Sequence, residues 1–164
     1  MNDSTTSKES SEVFAYYESP IGLLEIFGAE NYIKSVFFKD SDIRKMDIAP
    51  PLLKDCVQQI DEYFTKQRTQ FNLPLQPEGS PFQQSVWQTL QTIPYGKTAC
   101  YLDIAKALKN PKAVRAVGAA NGKNPISIII PCHRIIGSKG NMVGYGGGLW
   151  RKKWLLQHEQ NLLL

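Results

Sequence analysis

Ile128-Ile129-Ile130-Pro131-Cys132-His133-Arg134-Ile135-Ile136 is the stretch around which this chain is organised. Its β-branched apolar run reads as a buried strand. Pro131 has no amide hydrogen to donate, so the strand is expected to stop there. Cys132 then stands at the mouth of a rigid element, next to His133. A cysteine beside a histidine can become a thiolate, the nucleophilic form. The competing reading is a buried structural cysteine beside a surface histidine, because free cysteines are commonly buried. Adjacency alone does not couple the pair, since successive strand side chains point to opposite faces. A turn after Pro131, or a bridging water, is needed to join them.

Upstream, Asn124-Pro125 reads as a turn. Tyr101 to Leu108 reads as a short helix. Lys109-Asn110-Pro111 opens a second, with Asn110 suited to the N-cap and Pro111 to the first helical position. That helix is expected over Lys112 to Asn121, stopping at Gly122. Two short helices across a tight turn suggest a helix-turn-helix. Ala113, Val114, Ala116, Val117, Gly118, Ala119 and Ala120 make its second helix rich in small side chains. Such a helix serves tight internal packing or close approach to DNA. Lys112 and Arg115 are three apart and share a face. Phe82, Val86, Trp87 and Leu90 mark a further helix whose aromatics belong to the core.

Downstream, Gly144 to Gly148 reads as a close-packed loop. A last helix is expected from about Leu149 to Gln160, with Leu155 and Glu159 on one face. Gly96-Lys97-Thr98 is no phosphate loop, because position 91 holds Gln rather than the required glycine. No G-x-G-x-x-G follows a strand, and no cofactor-binding motif is visible.

From Ile93 to Glu159 the chain resembles the O6-alkylguanine-DNA alkyltransferases. The likeness is carried by Ile93-Pro94-Tyr95-Gly96-Lys97-Thr98, Tyr101, Asn110 to Gly118, Asn124-Pro125, the Pro-Cys-His-Arg box at 131–134, and Gly144 to Leu149 running into a helix that ends at Glu159. The resemblance implies transfer of an alkyl group from O6-alkylguanine, and from O4-alkylthymine, in duplex DNA to Cys132. It implies that the transfer is irreversible, happens once per molecule and uses no cofactor. It implies that Glu159 orients His133, which reaches Cys132 through a water, and that both lower the thiol's pKa. Asn124 would hold the active-site segment against the helix-turn-helix. Tyr101 would crowd the lesion's phosphate and hydrogen-bond or protonate the leaving guanine. The second helix would enter the minor groove, with Arg115 filling the space of the flipped base. Asn110, Lys112, Ala113, Val114 and Ser138 would line the DNA, and Ile135, Tyr145 and Gly146 the base. Many relatives have serine at the place of Gly146 and proline at that of Ser127. Those departures bear on how bulky an alkyl group is accepted. Arg134 is expected to brace the fold. The alternative is a lesion-binding protein that transfers nothing; Cys132 argues against it, since such relatives lack the nucleophile. A Cys-His thiol hydrolase is a further reading, opposed by the basic second half.

The first half resembles the family only loosely. Val13–Tyr17, Leu23–Phe27 and Ile33–Phe38 read as three strands of an antiparallel meander, with turn signals at Ser19-Pro20-Ile21-Gly22 and Glu30-Asn31. Leu52, Leu53, Cys56, Val57, Ile60 and Phe64 recur at helical spacing, and Phe71-Asn72-Leu73 is a candidate strand. The expected fold class is α+β: a small antiparallel sheet with a helix over 13–73, a Pro-rich linker at 74–81, and a mainly helical half with the helix-turn-helix over 82–164. Residues 1–12 read as a disordered leader.

The 164 residues carry a net charge of +4, but it is unevenly spread. Residues 1–78 hold 8 Lys and Arg against 13 Asp and Glu; residues 79–164 hold 11 against 2. The second half is therefore the candidate polyanion surface. No apolar run approaches the roughly 18–20 residues of a membrane span. Three scattered cysteines argue against a disulfide framework and for a reducing compartment, with the cytoplasm expected. Residues 1–78 contain one Cys and no His, against a His/Cys zinc site there. A monomer is expected.

Overall fold

The computed structural model describes residues 11–160. The expected leader falls almost wholly outside them. Strands β1 (Val13–Ser19), β2 (Gly22–Gly28) and β3 (Ile33–Lys39) form an antiparallel sheet in the order β1-β2-β3. Ser19 shapes the first turn: its hydroxyl accepts from the Ile21 amide and donates to the Gly22 carbonyl. Leu24 and Ile26, two apart, share one buried face. Glu25, between them, bonds the Tyr16 hydroxyl and Lys39 on the other. Helix α1 (Pro51–Phe64) packs over the sheet with Leu53, Cys56, Ile60, Tyr63 and Phe64 buried. Cys56 is thus a core residue.

The outer edge of β3 is where the two halves of the chain meet. The Ile33 amide donates to Pro74 O at 2.8 Å, and Gln76 N returns to Ile33 O. Further along, Val36 N donates to Pro125 O and Ser127 N to Val36 O, both at 2.9 Å. An otherwise unpaired strand edge is thereby covered, and the segment leading to Cys132 hangs from the sheet. The candidate strand at 71–73 is absent; the pairing falls to Leu75, as a single bridge to Ile33.

Helices α2 (Pro81–Leu90), α3 (Tyr101–Ala107), α4 (Val114–Gly122) and α5 (Leu149–Gln160) make up the second half. Helix α2 starts on a reciprocal cap between Ser80 and Gln83. Its Trp87 is buried and donates Nε1–H to Ala120 O at 2.8 Å. This core role was the one expected from its spacing. Helix α4 starts later than predicted. Ala113, not Asn110, is its N-cap, because residues 110–113 form a separate turn closed by Ala113 N to Asn110 O.

The central prediction of a strand at Ile128–Ile130 fails in form but holds in burial. Only Ile126 makes a bridge, to Val36. Residues 127–129 then turn, with Ile129 N bonding Ser127 O and Ile130 N bonding Ile126 O. All three isoleucines are buried, and Ile128 takes φ +71°, a left-handed conformation that β-branched residues rarely adopt. An apolar run encodes burial; its periodicity alone cannot distinguish a short strand from a buried turn.

Candidate active site

Cys132 opens a single 3-10 turn, Cys132–Arg134, immediately after Pro131. Asn124 staples the approach. Its Nδ2 donates to Ile126 O and, at 2.9 Å, to Ile130 O, while its Oδ1 accepts from Ile126 N. Both sides of the buried turn are thus tied to one amide. Because the chain turns at Cys132 rather than running extended, the thiol and the His133 ring leave the backbone from a tight bend.

His133 is fully buried. Its Nε2 lies 2.6 Å from Glu159 Oε2. The carboxylate can only accept, so Nε2 carries the hydrogen. Nδ1 is buried without a hydrogen-bond partner. Glu159 also accepts from Arg134 Nε at 2.7 Å, the Tyr63 hydroxyl at 2.7 Å and the Gly96 amide at 3.3 Å. Arg134 donates further to Ile93 O, so it braces α5 and the 93–96 turn against the cysteine turn.

The electrostatics follow from this packing. Burial pushes the His133 imidazolium below its usual pKa, against the pull of Glu159, so the ring is neutral near pH 7. Burial would raise Glu159, but His133 and Arg134 outweigh it and hold the carboxyl well below the usual range. Burial also holds the Cys132 thiol above its ordinary value; a hydrogen bond from Asn124 and the charge of Lys152 pull the other way. The expected lowering of the thiol by His133 and Glu159 therefore does not prevail here. A neutral ring adds no positive charge, and Glu159 is negative. Burial keeps the Tyr101 phenol protonated above its usual pKa; Asn121 opposes this shift and the Cys132 charge adds to it.

Cys132 opens onto a cleft of about 230 Å³ with Asn124, Ser127, Tyr145 and Gly146 in its wall. Ile135, expected to meet the base through its main chain, is a buried residue whose backbone bridges to Ala99. Tyr101 sits on α3 with its ring over Gly118 of α4, where a methyl group would lie 3.4 Å from the ring.

Two family models match the chain: the DNA binding domain of 6-O-methylguanine DNA methyltransferase over residues 81–161, and its ribonuclease-like domain over 13–77. The methylated-DNA–protein-cysteine methyltransferase of Methanosarcina acetivorans is 43% identical over 152 residues, covering 89% of this chain and 97% of that protein. This chain belongs to the 6-O-methylguanine DNA methyltransferase family. The Haemophilus influenzae methylated-DNA–protein-cysteine methyltransferase is 44% identical over 154 residues, 90% of this chain and 86% of that one. Among solved structures, the O6-methylguanine methyltransferase of Mycobacterium tuberculosis superposes with a TM-score of 0.83 at 39% identity, covering 92% of this chain and 94% of that one. The Mycobacterium tuberculosis protein in complex with DNA gives 0.82 at 42% identity, covering 90% and 92%.

Set against that family, the expected DNA-facing residues divide by exposure. Asn110, Lys112, Arg115 and Ser138 are exposed; Ala113 and Val114 are half-buried at the start of α4. Alongside Arg115, the exposed positions on α4 are the small Ala116, Ala119 and Gly122. Two residues of the site were not foreseen. Tyr63 comes from α1, between Ile60 and Phe64 of the apolar stripe but not counted in it; a buried tyrosine needs a partner for its hydroxyl, and that was the available signal. Lys152, on the last helix, is fully buried and donates to Val143 O, with its ammonium pushed down by burial to about 8. No local pattern marked it.

Proposed function

We infer that this protein repairs O6-alkylguanine in DNA by moving the alkyl group to its own Cys132. The observation that carries the reading is the buried Cys132-His133 turn, with His133 held through Nε2 by a carboxylate that four residues satisfy. This is the order of a nucleophile, a base and a group that orients the base. His133 Nδ1 is the nitrogen left to take the thiol proton, through a water. The thiolate attacks the alkyl carbon, and the carbon–oxygen bond breaks toward guanine. Tyr101, still carrying its proton, supplies it to the ring and is reprotonated from His133. In sum the thiol proton ends on guanine and the alkyl group on sulfur. A thioether is not reversed by thiol exchange, so each molecule acts once. O4-alkylthymine presents the same alkyl–oxygen bond and is a second substrate.

In this reading residues 82–164 dock on duplex DNA through the minor groove, with α4 leading. The exposed small residues of α4 let its backbone approach closely, and Arg115 replaces the flipped base, offsetting an unstacking cost of roughly a few kcal/mol. Residues 13–73 serve as scaffold, joined through 74–81. The protein works as a monomer in the cytoplasm. Duplex affinity should fall steeply with salt, through counterion release. The deciding experiment titrates the protein against excess methylated duplex and maps the modified peptide by mass. One methyl per chain, on Cys132, is expected; turnover beyond one, or a methyl elsewhere, contradicts the mechanism.

A further inference from the structure

The cleft that holds Cys132 has walls from both halves of the chain. Asn124, Ser127, Tyr145 and Gly146 come from the second half; Phe37 and Phe38 come from the end of β3, and Asp40 follows it. Phe38 is seated by a cation. The Arg151 guanidinium carbon lies 4.5 Å from its ring centroid. Arg151 is in turn fixed at both ends: Nε donates to Ile21 O at 2.7 Å, and Nη1 to Gly147 O at 2.9 Å. Gly22, at φ +122°, leaves the room this requires, since a Cβ there would fall 2.8 Å from Nη2. One side chain of α5 therefore ties together the β1–β2 turn, the Phe38 ring and the glycine loop.

The cleft is unevenly closed. A Cβ at Gly147 would meet Phe38 Cδ2 at 3.0 Å and Tyr145 Cε1 at 2.9 Å. On that side, ring and loop are already in contact. A Cβ at Gly146 would meet nothing within 4 Å. The first carbon transferred must bond to Sγ, so everything beyond it has to fit in the space that remains. Tyr145 and Gly146 are the residues read as facing the base, and the sheet side is the wall left to meet a longer substituent.

We propose that Phe38, held by Arg151, sets the size of alkyl group that Cys132 accepts. The proposal rests on Cys132 being the alkyl acceptor. Phe38 is then the specificity-determining residue, and Arg151 the positioning residue that keeps the ring from swinging away. The first half of the chain, through β3, takes part in substrate choice.

The test compares one duplex carrying either O6-methylguanine or O6-benzylguanine at the same position, with transfer followed by the mass of the intact protein. Phe38→Ala should raise the benzyl-to-methyl rate ratio about tenfold or more, the scale on which one methylene is discriminated in an apolar pocket. Phe38→Trp should lower it. Arg151→Lys, which keeps the charge but loses the planar fork, should raise the ratio by less than Phe38→Ala does. A partly unfolded variant slows both substrates equally and leaves the ratio untouched, so a change in ratio is not a folding effect. A ratio unmoved by both Phe38 variants, or moved the same way by both, overturns the proposal. Absence of the methyl group from Cys132 in the unsubstituted protein would instead sink the parent reading.

Discussion

The region around Glu159 and the exposed face of α4 are built on opposite principles. Around Glu159, donors crowd the carboxylate: Tyr63, Gly96, His133 and Arg134 converge on one group that is buried with the ring it orients. On α4 the positions beside Arg115 carry almost no side chain at all. The first region is specified by bonds made, the second by bulk left out. A buried polar group without its partner costs more than the bond itself contributes, so the first region should be intolerant of single changes. The α4 face, proposed to meet DNA, has no such penalty, and on that proposal changes there should appear only when DNA is present.

The comparison is broken most severely at Cys132. Cys132→Ser should abolish transfer, because a hydroxyl is far less nucleophilic than a thiol near neutral pH. Duplex binding should survive, since the exposed α4 face is untouched. Loss of both, in gel-shift and mass assays run side by side, would mean the two regions are not separable.

Glu159→Gln comes next. It leaves Arg134 buried without its counter-charge, and removing one partner of a buried pair costs roughly 3–5 kcal/mol. The urea midpoint should fall accordingly. Acid should act in the same direction on the unsubstituted protein. Glu159 has a depressed folded pKa, so the stability it contributes is fully present above the ordinary carboxylate value and is lost as pH falls from there through the folded value. His133 is also depressed, so below its ordinary value of roughly 6.5 the unfolded chain binds the proton the folded one resists. A midpoint that rises between pH 7.5 and pH 5 would contradict the described charge states.

Tyr63→Phe removes one donor and leaves the charges in place. A hydrogen bond to a charged group is worth about 1.5–3 kcal/mol, and the unfolding free energy should drop by that amount, read from the shift of the denaturation midpoint at constant m. The residue lies in the first half, so a matching loss in methyl transfer would show the orienting chain crossing between halves. No change in either would reduce Tyr63 to packing.

Arg115→Ala has the smallest expected effect. It should leave the unfolding free energy within about 0.5 kcal/mol, as is usual for surface substitutions, and slow repair of duplex DNA relative to free alkylguanine base by roughly tenfold, since only the duplex requires unstacking. Equal slowing of both substrates would move Arg115 from the DNA face into the fold or the chemistry.

How much of this was legible beforehand differs by region. The three strands, the amphipathic α1 and α2, the span of α5 and the excess of positive charge after residue 78 all follow from periodicity and turn chemistry within short windows. The Cys-His pair, the exposed Arg115 and the small residues of α4 could be picked out in the same way. Their assembly could not. Tyr63 and Glu159 are 96 residues apart, Arg151 and Ile21 are 130 apart, and Ile33 pairs with Leu75 from the far side of α1. The isoleucine run specified burial, but the chain turns there, with Ile130 N bonding Ile126 O, although β3 runs on to Lys39 beyond the Val36–Ile126 bridge. The start of α4 shifted because Asn110 closes a turn of its own. Local composition determines which residues must leave water and which backbone conformations are favoured. Which buried donor meets which buried acceptor is decided only when the chain closes on itself, because a hydroxyl, a guanidinium and a carboxylate carry no mark of partner until packing removes the water that would otherwise satisfy them.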